Sequence, residues 1–275
     1  MKSIVVPVNY TKNAANAARY AADLALSLGA DIHLVYVFEI PLTLSEAPLP
    51  PGAFEELELG KVTLLRDLKR ELTARTTEPL NITTTIEVGN VETQLEVFCK
   101  TKDPFLVVMG ASGNGIDNIF AGSNTILAVR QLPYPVLVVP EKASFNSIGK
   151  IVVACDREDI LTGLPSALPY LKELGRHLPG TRVEILHVIT DKEESTTELE
   201  EAYNSWKGEV SSLLPILHFI RRSKVENGID DYLKGCVAGL VMVFPKNHGP
   251  LEFHKSQARK VVLHCALPVM SVHER

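Results

Sequence analysis

Short, unbroken apolar runs alternate with longer stretches in which apolar residues return every three or four positions. The runs in the first half are Ile4-Val5-Val6-Pro7-Val8-Asn9, Leu34-Val35-Tyr36-Val37, Phe105-Leu106-Val107-Val108-Met109-Gly110 and Pro133-Tyr134-Pro135-Val136-Leu137-Val138-Val139. Continuous runs rich in Val, Ile and Leu predict strands of a parallel sheet covered on both faces. Ile82 to Val88 supplies a further strand. Between the runs, Ala14, Ala17, Ala18, Ala21, Ala25 and Leu28 fall at helical spacing after Thr11, a predicted N-cap, with Gly29 as the C′ residue. Leu57, Leu64, Leu65, Leu68 and Leu72 mark a second helix, Leu95 and Phe98 a third, and Ile126 and Val129 a fourth. The order β-α-β-α-β-α-β-α-β predicts an open, doubly wound α/β sheet of Rossmann-like type with right-handed crossovers.

The pattern then repeats. Ile151-Val152-Val153-Ala154-Cys155-Asp156, Ile185-Leu186-His187-Val188, Gly239-Leu240-Val241-Met242-Val243-Phe244 and Leu267-Pro268-Val269-Met270-Ser271-Val272 follow in the same order. Four matching runs predict a duplicated domain, the first over residues 1–143 and the second over 148–275, divided by the polar stretch after Pro140. Helices of the second half are less regular: Gly163, Pro165, Pro169 and Pro215 fall near them. The acidic segment Asp191–Glu201 is expected to face water as a loop or helix start.

Apolar residues make up 45% and charged residues 22%, which excludes disorder as the dominant state. The net charge is −5 and neither half is basic, so nucleic-acid binding through phosphate neutralisation is not expected. No apolar run approaches the roughly 20 residues that cross a bilayer, and the Met1–Pro7 stretch is too short to read as a signal peptide. A cytoplasmic protein without membrane contact is expected. Cys99, Cys155, Cys236 and Cys265 lie far apart in or beside apolar stretches, with no CxxC pair, and read as reduced core thiols rather than zinc ligands.

In a doubly wound sheet, ligands bind beyond the C-terminal ends of the strands, where the strand order reverses. Two segments converge there: Pro7-Val8-Asn9, and the stretch from Met109-Gly110-Ala111-Ser112-Gly113 to Ala121-Gly122-Ser123-Asn124-Thr125. Gly110, Gly113 and Gly122 would let backbone amides approach a polyphosphate, and Ser123 would stand at a helix N-terminus that favours an anion. Each glycine taken alone also fits an ordinary turn, and Gly-Ser an ordinary cap. The Walker and GxGxxG signatures are both absent.

The stretch Gly110-x2-Gly113-x8-Gly122-Ser123, with the opening Val-Pro and the Pro-Val-Leu-Val-Val ending, resembles the universal stress proteins in their tandem form. The first half is similar to their ATP-binding branch, whose signature is G-x2-G-x9-G-[ST]. The resemblance implies that Pro7, Val8, Asn9 and Val37 hold adenosine. It further implies that Met109 and Gly110 lie near ribose and adenine, and that Gly113, Gly122, Ser123 and Asn124 hold the phosphates of ATP, ADP or AMP, with or without Mg. Two departures stand out: Asn9 replaces the family's usual Asp, and the long spacer is one residue short. The resemblance also implies pairing through the last strand, around Pro135–Val139 and Pro268–Val272. The two halves would then pair with each other, with a homodimer and an unknown protein partner left open.

The second half keeps Asp156, but its corresponding loop reads Phe244-Pro245-Lys246-Asn247-His248-Gly249-Pro250, then Phe253-His254-Lys255-Ser256. One glycine remains, and proline has no N–H for a phosphate. Lys246, Lys255, His248 and His254 offer an anion site by side-chain charge, or simply an exposed polar surface. The eight histidines form neither HxxxH nor HExxH, there is no G-x-S-x-G, and Asp117 reads as solvent-exposed. No catalytic residues or metal site are expected, and hydrolysis should be slow or absent. An interaction module without nucleotide is the competing expectation; an adenylate-forming or electron-transfer enzyme is a remote third, since its motifs are missing.

Overall fold

The computed structural model describes residues 2–39, 53–76, 78–111, 123–190, 196–245, 261 and 265–273. Of side chains, those of residues 53–58 and of Ser123 lie outside the description. The first half runs β1 (Ser3–Pro7), α1 (Lys12–Leu28), β2 (Asp31–Phe38), α2 (Ala53–Ala74), β3 (Ile82–Val88), α3 (Val91–Lys102), β4 (Leu106–Gly110), α4 (Ser123–Gln131) and β5 (Val136–Val139). Thr11 caps α1 by accepting from the Ala14 amide, and Gly29 closes it in the left-handed conformation at φ 60°. Asn90 caps α3 in the same way, accepting from Thr93.

The second half runs β6 (Lys150–Cys155), a π turn at Asp159–Gly163, α5 (Leu164–His177), β7 (Arg182–Ile189), α6 (Thr197–Trp206), a 3-10 turn at Lys207–Leu213, β8 (Ile216–Arg221), α7 (Val225–Gly235), β9 (Leu240–Val243) and β10 (Val269–Ser271). Pro165 occupies the first turn of α5, where its missing N–H costs nothing, and Pro169 lies inside the helix. Sequence patterning overlooked β8. Its Ile-Leu-His-Phe-Ile run follows Pro215, where the sequence pattern predicts a helix nearby instead.

The ten strands among the described residues form one sheet in the order β3-β2-β1-β4-β5-β10-β9-β6-β7-β8. Pairing is parallel throughout except at the centre, where Val136, Leu137 and Val138 of β5 face Ser271, Met270 and Val269 of β10 antiparallel. Each half therefore reads 3-2-1-4-5 from its edge inward. Alternate strand residues feed two apolar layers. Ile4, Val6, Leu34, Val108, Val153 and Met242 meet α1, α2, α5 and α6 on one face. Val5, Val35, Val107, Val138 and Val241 meet α3, α4 and α7 on the other.

Polar contacts reinforce the junction of the halves. Asn16 donates to the carbonyls of Pro140 (3.0 Å) and Ala143 (2.9 Å), and Tyr20 packs edge-on against Phe145 at 5.3 Å. Glu173 on α5 binds Lys2 ahead of β1, and also Arg176 at 3.1 Å and His177 at 2.8 Å. Burial pushes the Glu173 carboxyl up, but Lys2, Arg176 and His177 together hold it below the ordinary carboxylate value. No helix among the described residues is long and apolar enough to cross a membrane. All four cysteines are free; Cys99 and Cys155 are buried, while Cys236 and Cys265 are only half-buried, less enclosed than core thiols.

Candidate functional site

The strand order reverses between β1 and β4. The chain leaves β1 toward α1 on one face and leaves β4 toward α4 on the other, and in a doubly wound sheet such a divergence, here beyond Pro7 and Gly110, is where a ligand crevice forms. On the β1 side, Val8 donates its amide to Val35 (2.8 Å), which extends the ladder one residue past the strand. Asn9 then turns the chain: its Oδ1 accepts from Thr11 Oγ1 at 2.7 Å and from the Thr11 amide at 3.3 Å. Tyr10 adopts the left-handed region at φ 59°. Because the Thr11 amide can only donate, Oδ1 must be the acceptor, and Asn9 presents its NH2 group to the exterior where an Asp would present an oxygen.

Tyr10 packs away from the crevice. Its ring lies 4.7 Å from that of Tyr36, its hydroxyl donates to the Lys61 carbonyl (2.9 Å), and the Lys61 ammonium stands 5.1 Å over the Tyr10 ring. Burial pushes the Tyr10 phenol well up, and Tyr36 adds to the shift.

Val37 on β2 and Met109 on β4 are both buried and share the α3/α4 layer. Val8 is buried in the opposite layer, so only its backbone borders the crevice. Pro7 is half-buried, and Asn124 is exposed at the start of α4. Ser123 is the first residue of that helix. Gly113 and Gly122 lie outside the described residues, as do Asp117, Lys246, His248, His254 and Lys255.

Gly110 has a different physical reason from the one its sequence context suggested. A Cβ there would stand 2.6 Å from the Asn13 carbonyl oxygen, 2.7 Å from its carbon and 3.1 Å from the Ala14 amide nitrogen. Glycine is required because the first turn of α1 crosses directly over the end of β4. The approach of a polyphosphate is not needed to explain it. The same crossing lets Asn13 Nδ2 donate to the Ala111 carbonyl at 2.7 Å, while from α4 the buried Thr125 hydroxyl donates to the Gly110 carbonyl at 3.2 Å. Sequence reasoning missed both side chains. Their visible signals are an Asn in the first turn of an alanine-rich helix, and a Thr two residues past the Gly-Ser pair.

The second half has a cavity of about 430 Å3 at the ends of β6 and β7, lined by Cys155, Asp156, Thr162, His187, Val188 and Val225 among others. Here the helix start is closed by carboxylates of the chain itself: the Asp156 amide donates to Asp159 Oδ2 at 2.7 Å, and the Asp159 amide to Asp156 Oδ1 at 2.9 Å. Two amides that an anion would need are therefore occupied. His187 Nδ1 donates to the Cys155 carbonyl at 3.0 Å. Burial, and then the charges of Asp159 and Asp156, raise the Cys155 thiol far above its ordinary value, so it is no nucleophile. Among the described residues no group of three or more His, Cys, Asp or Glu could hold a metal ion.

The sequence of residues 1–140 matches the model of the universal stress protein family. The chain belongs to that family. Its fold is shared at full length with a universal stress protein from Archaeoglobus fulgidus DSM 4304: TM-score 0.79 at 14% identity, covering 99% of this chain and 98% of that one. A protein of unknown function from Pseudomonas aeruginosa PAO1 is similar, with TM-score 0.63 at 15% identity over 100% of this chain and 93% of that one. A shorter universal stress protein, solved in complex with cAMP, is 18% identical over 50% of this chain and 96% of its own, with TM-score 0.41. No curated protein matches the sequence. At such identities what this universal stress protein shares with its structural neighbours is the fold.

Proposed function

We propose that the first half of this universal stress protein binds an adenine nucleotide (ATP, ADP or AMP) as a non-catalytic or very slowly hydrolysing stress-response module in the cytoplasm. The observation that carries this reading is the coincidence of two features. The strand order reverses between β1 and β4, and the glycine-rich stretch of the sequence begins where β4 ends. Val37 and Met109 supply an apolar wall for a base, and the outward NH2 of Asn9 supplies a donor. Pro7 and the Val8 backbone border the same mouth. Gly113, Gly122, Ser123 and Asn124 would hold phosphates, with Gly110 acting through the packing of α1. The described side chains fit Mg only as a companion of the phosphates, held by their oxygens and by water.

The two repeats, over 1–143 and 148–275, pair through β5 and β10 in this reading, and the second half supports or regulates the first. Its self-capped helix start is the reason for assigning the anion to the first half alone. Calorimetric titration with Mg-ATP, ADP and AMP tests the proposal. Binding in the micromolar range that Gly122→Val abolishes is expected, since a valine side chain would block backbone approach. Absence of heat at millimolar nucleotide would end it.

A second reading, an interaction module without nucleotide, is favoured by one observation: Gly110 is fully explained by packing. Nucleotide retained through purification, seen as excess absorbance at 260 nm, would count against that alternative.

A further inference from the structure

We infer that Asn13 and Thr125 are positioning residues, clamping the Gly110–Ala111 segment from both layers of the fold and thereby setting the affinity of the crevice for nucleotide. The inference rests on the nucleotide reading above.

Three hydrogen bonds hold two consecutive peptide units. The Ala111 amide donates to the Val139 carbonyl at 2.8 Å, which is the last rung of the β4–β5 ladder. The Gly110 carbonyl, at the other end of that peptide unit, accepts from Thr125 on α4. The next carbonyl, that of Ala111, accepts from Asn13 on α1. A peptide unit is planar, so holding its oxygen and its hydrogen leaves it no rotation, and holding the next oxygen sets the plane in which the chain departs from β4.

Neither side chain is occupied with capping its own helix. The cap of α1 is Thr11, whose hydroxyl accepts from the Ala14 amide at 3.2 Å. Asn13 instead reaches across to a residue far along the chain, which it can do because Gly110 lets the helix backbone come so close. Thr125 is 5% exposed, so its hydroxyl bond forms out of water, where an unpaired hydroxyl would be costly. The clamp joins α1, β4, β5 and α4, and of these β4, α1 and α4 lead away from the point where the strand order reverses. A ligand-binding segment that starts from a held root loses less conformational entropy on binding than one that starts from a free root.

The test uses the full chain and four variants: Asn13→Ala, Thr125→Val, Thr125→Ser, and Val129→Ala as a control that loosens the α4 packing without touching the clamp. Calorimetry with Mg-ATP gives affinities, and hydrogen exchange without nucleotide reports on the Ala111 amide. Asn13→Ala and Thr125→Val should each weaken binding about five- to tenfold and speed exchange at Ala111, as expected for one hydrogen bond lost. Thr125→Ser keeps the donor and should stay within about twofold of the wild type. Val129→Ala should lower the thermal midpoint and leave affinity unchanged. If the wild type binds and Asn13→Ala and Thr125→Val bind equally well, the clamp is refuted and the nucleotide reading stands. If the wild type binds no nucleotide at millimolar concentration, the nucleotide reading falls and takes this inference with it.

Discussion

Replacing Gly110 with alanine puts a methyl group where α1 already lies. The nearest atoms are backbone, the Asn13 oxygen at 2.6 Å and its carbon at 2.7 Å, so no flexible side chain can swing aside. The oxygen falls roughly 0.8 Å short of an ordinary van der Waals contact, and α1 must lift by about that much. Overpacking of this kind costs about 1–3 kcal/mol. Lifting the helix also stretches the 2.7 Å bond from Asn13 to Ala111, worth about 1 kcal/mol. Alanine returns about 0.4–1 kcal/mol by restricting the unfolded chain. The net expectation is a loss of about 1–3 kcal/mol. Urea unfolding followed by the fluorescence of Trp206, the lone tryptophan and 5% exposed, measures it. Gly149 is the control, because nothing stands within 4 Å of a Cβ there and its backbone is not left-handed. Gly149→Ala should leave the midpoint unchanged or raise it slightly. A Gly110→Ala protein within about 0.5 kcal/mol of wild type would refute the close-approach argument.

Gly60 lies inside α2 with open space around its Cα, so Gly60→Ala should raise stability by about 0.5–1 kcal/mol in the same urea assay; a loss would mean the helix packs differently there. Glu173→Gln removes the carboxylate that ties Lys2 to α5, and should cost about 1–2 kcal/mol at pH 7. Because the folded-state carboxyl lies below its ordinary value, its contribution is present above the ordinary carboxylate range and lost as pH falls through the folded value. The gap between wild type and variant should therefore close below about pH 4, and a pH-independent gap would contradict the ion-pair account. Burial pushes the Cys99 thiol up to about 12 and also raises that of Cys155 well above its ordinary value, so iodoacetamide at pH 8 meets a thiolate fraction of about one in ten thousand at Cys99. Peptide mapping should find both unlabelled in the native protein and labelled after unfolding; rapid native alkylation of Cys99 would show that its helix opens.

Strand and helix periods left most of the architecture readable before any coordinates. Unbroken Val, Ile and Leu runs marked β1, β2, β4 and β5 and their counterparts, because a strand covered on both faces has no polar alternation to keep. Thr11 and Gly29 announced the ends of α1, since caps satisfy local backbone groups through local side chains. The overlooked β8 is an edge strand, and its half-exposed Ile216–Arg221 segment lacks the continuous Val and Ile character of a central one. That β1 and β4 run side by side, ending at Pro7 and Gly110, could be anticipated from a doubly wound order, because it is a property of topology.

What could not be read along the chain is everything that depends on two distant segments meeting. Gly110 looked like a phosphate-loop residue, yet it is small because a helix about 100 residues earlier in the chain lies on top of it. Val8 and Val37 looked like partners, but their side chains enter opposite layers, since side-chain direction alternates along each strand and the choice of face follows from packing. Asp156 keeps the acid that Asn9 replaces, yet in the folded chain it is committed to the Asp159 amide. Local propensity acts over a few residues and leaves its record in the order of amino acids. Close approach, layer and hydrogen-bond partnership arise between surfaces brought together by folding, and no stretch of sequence encodes them alone.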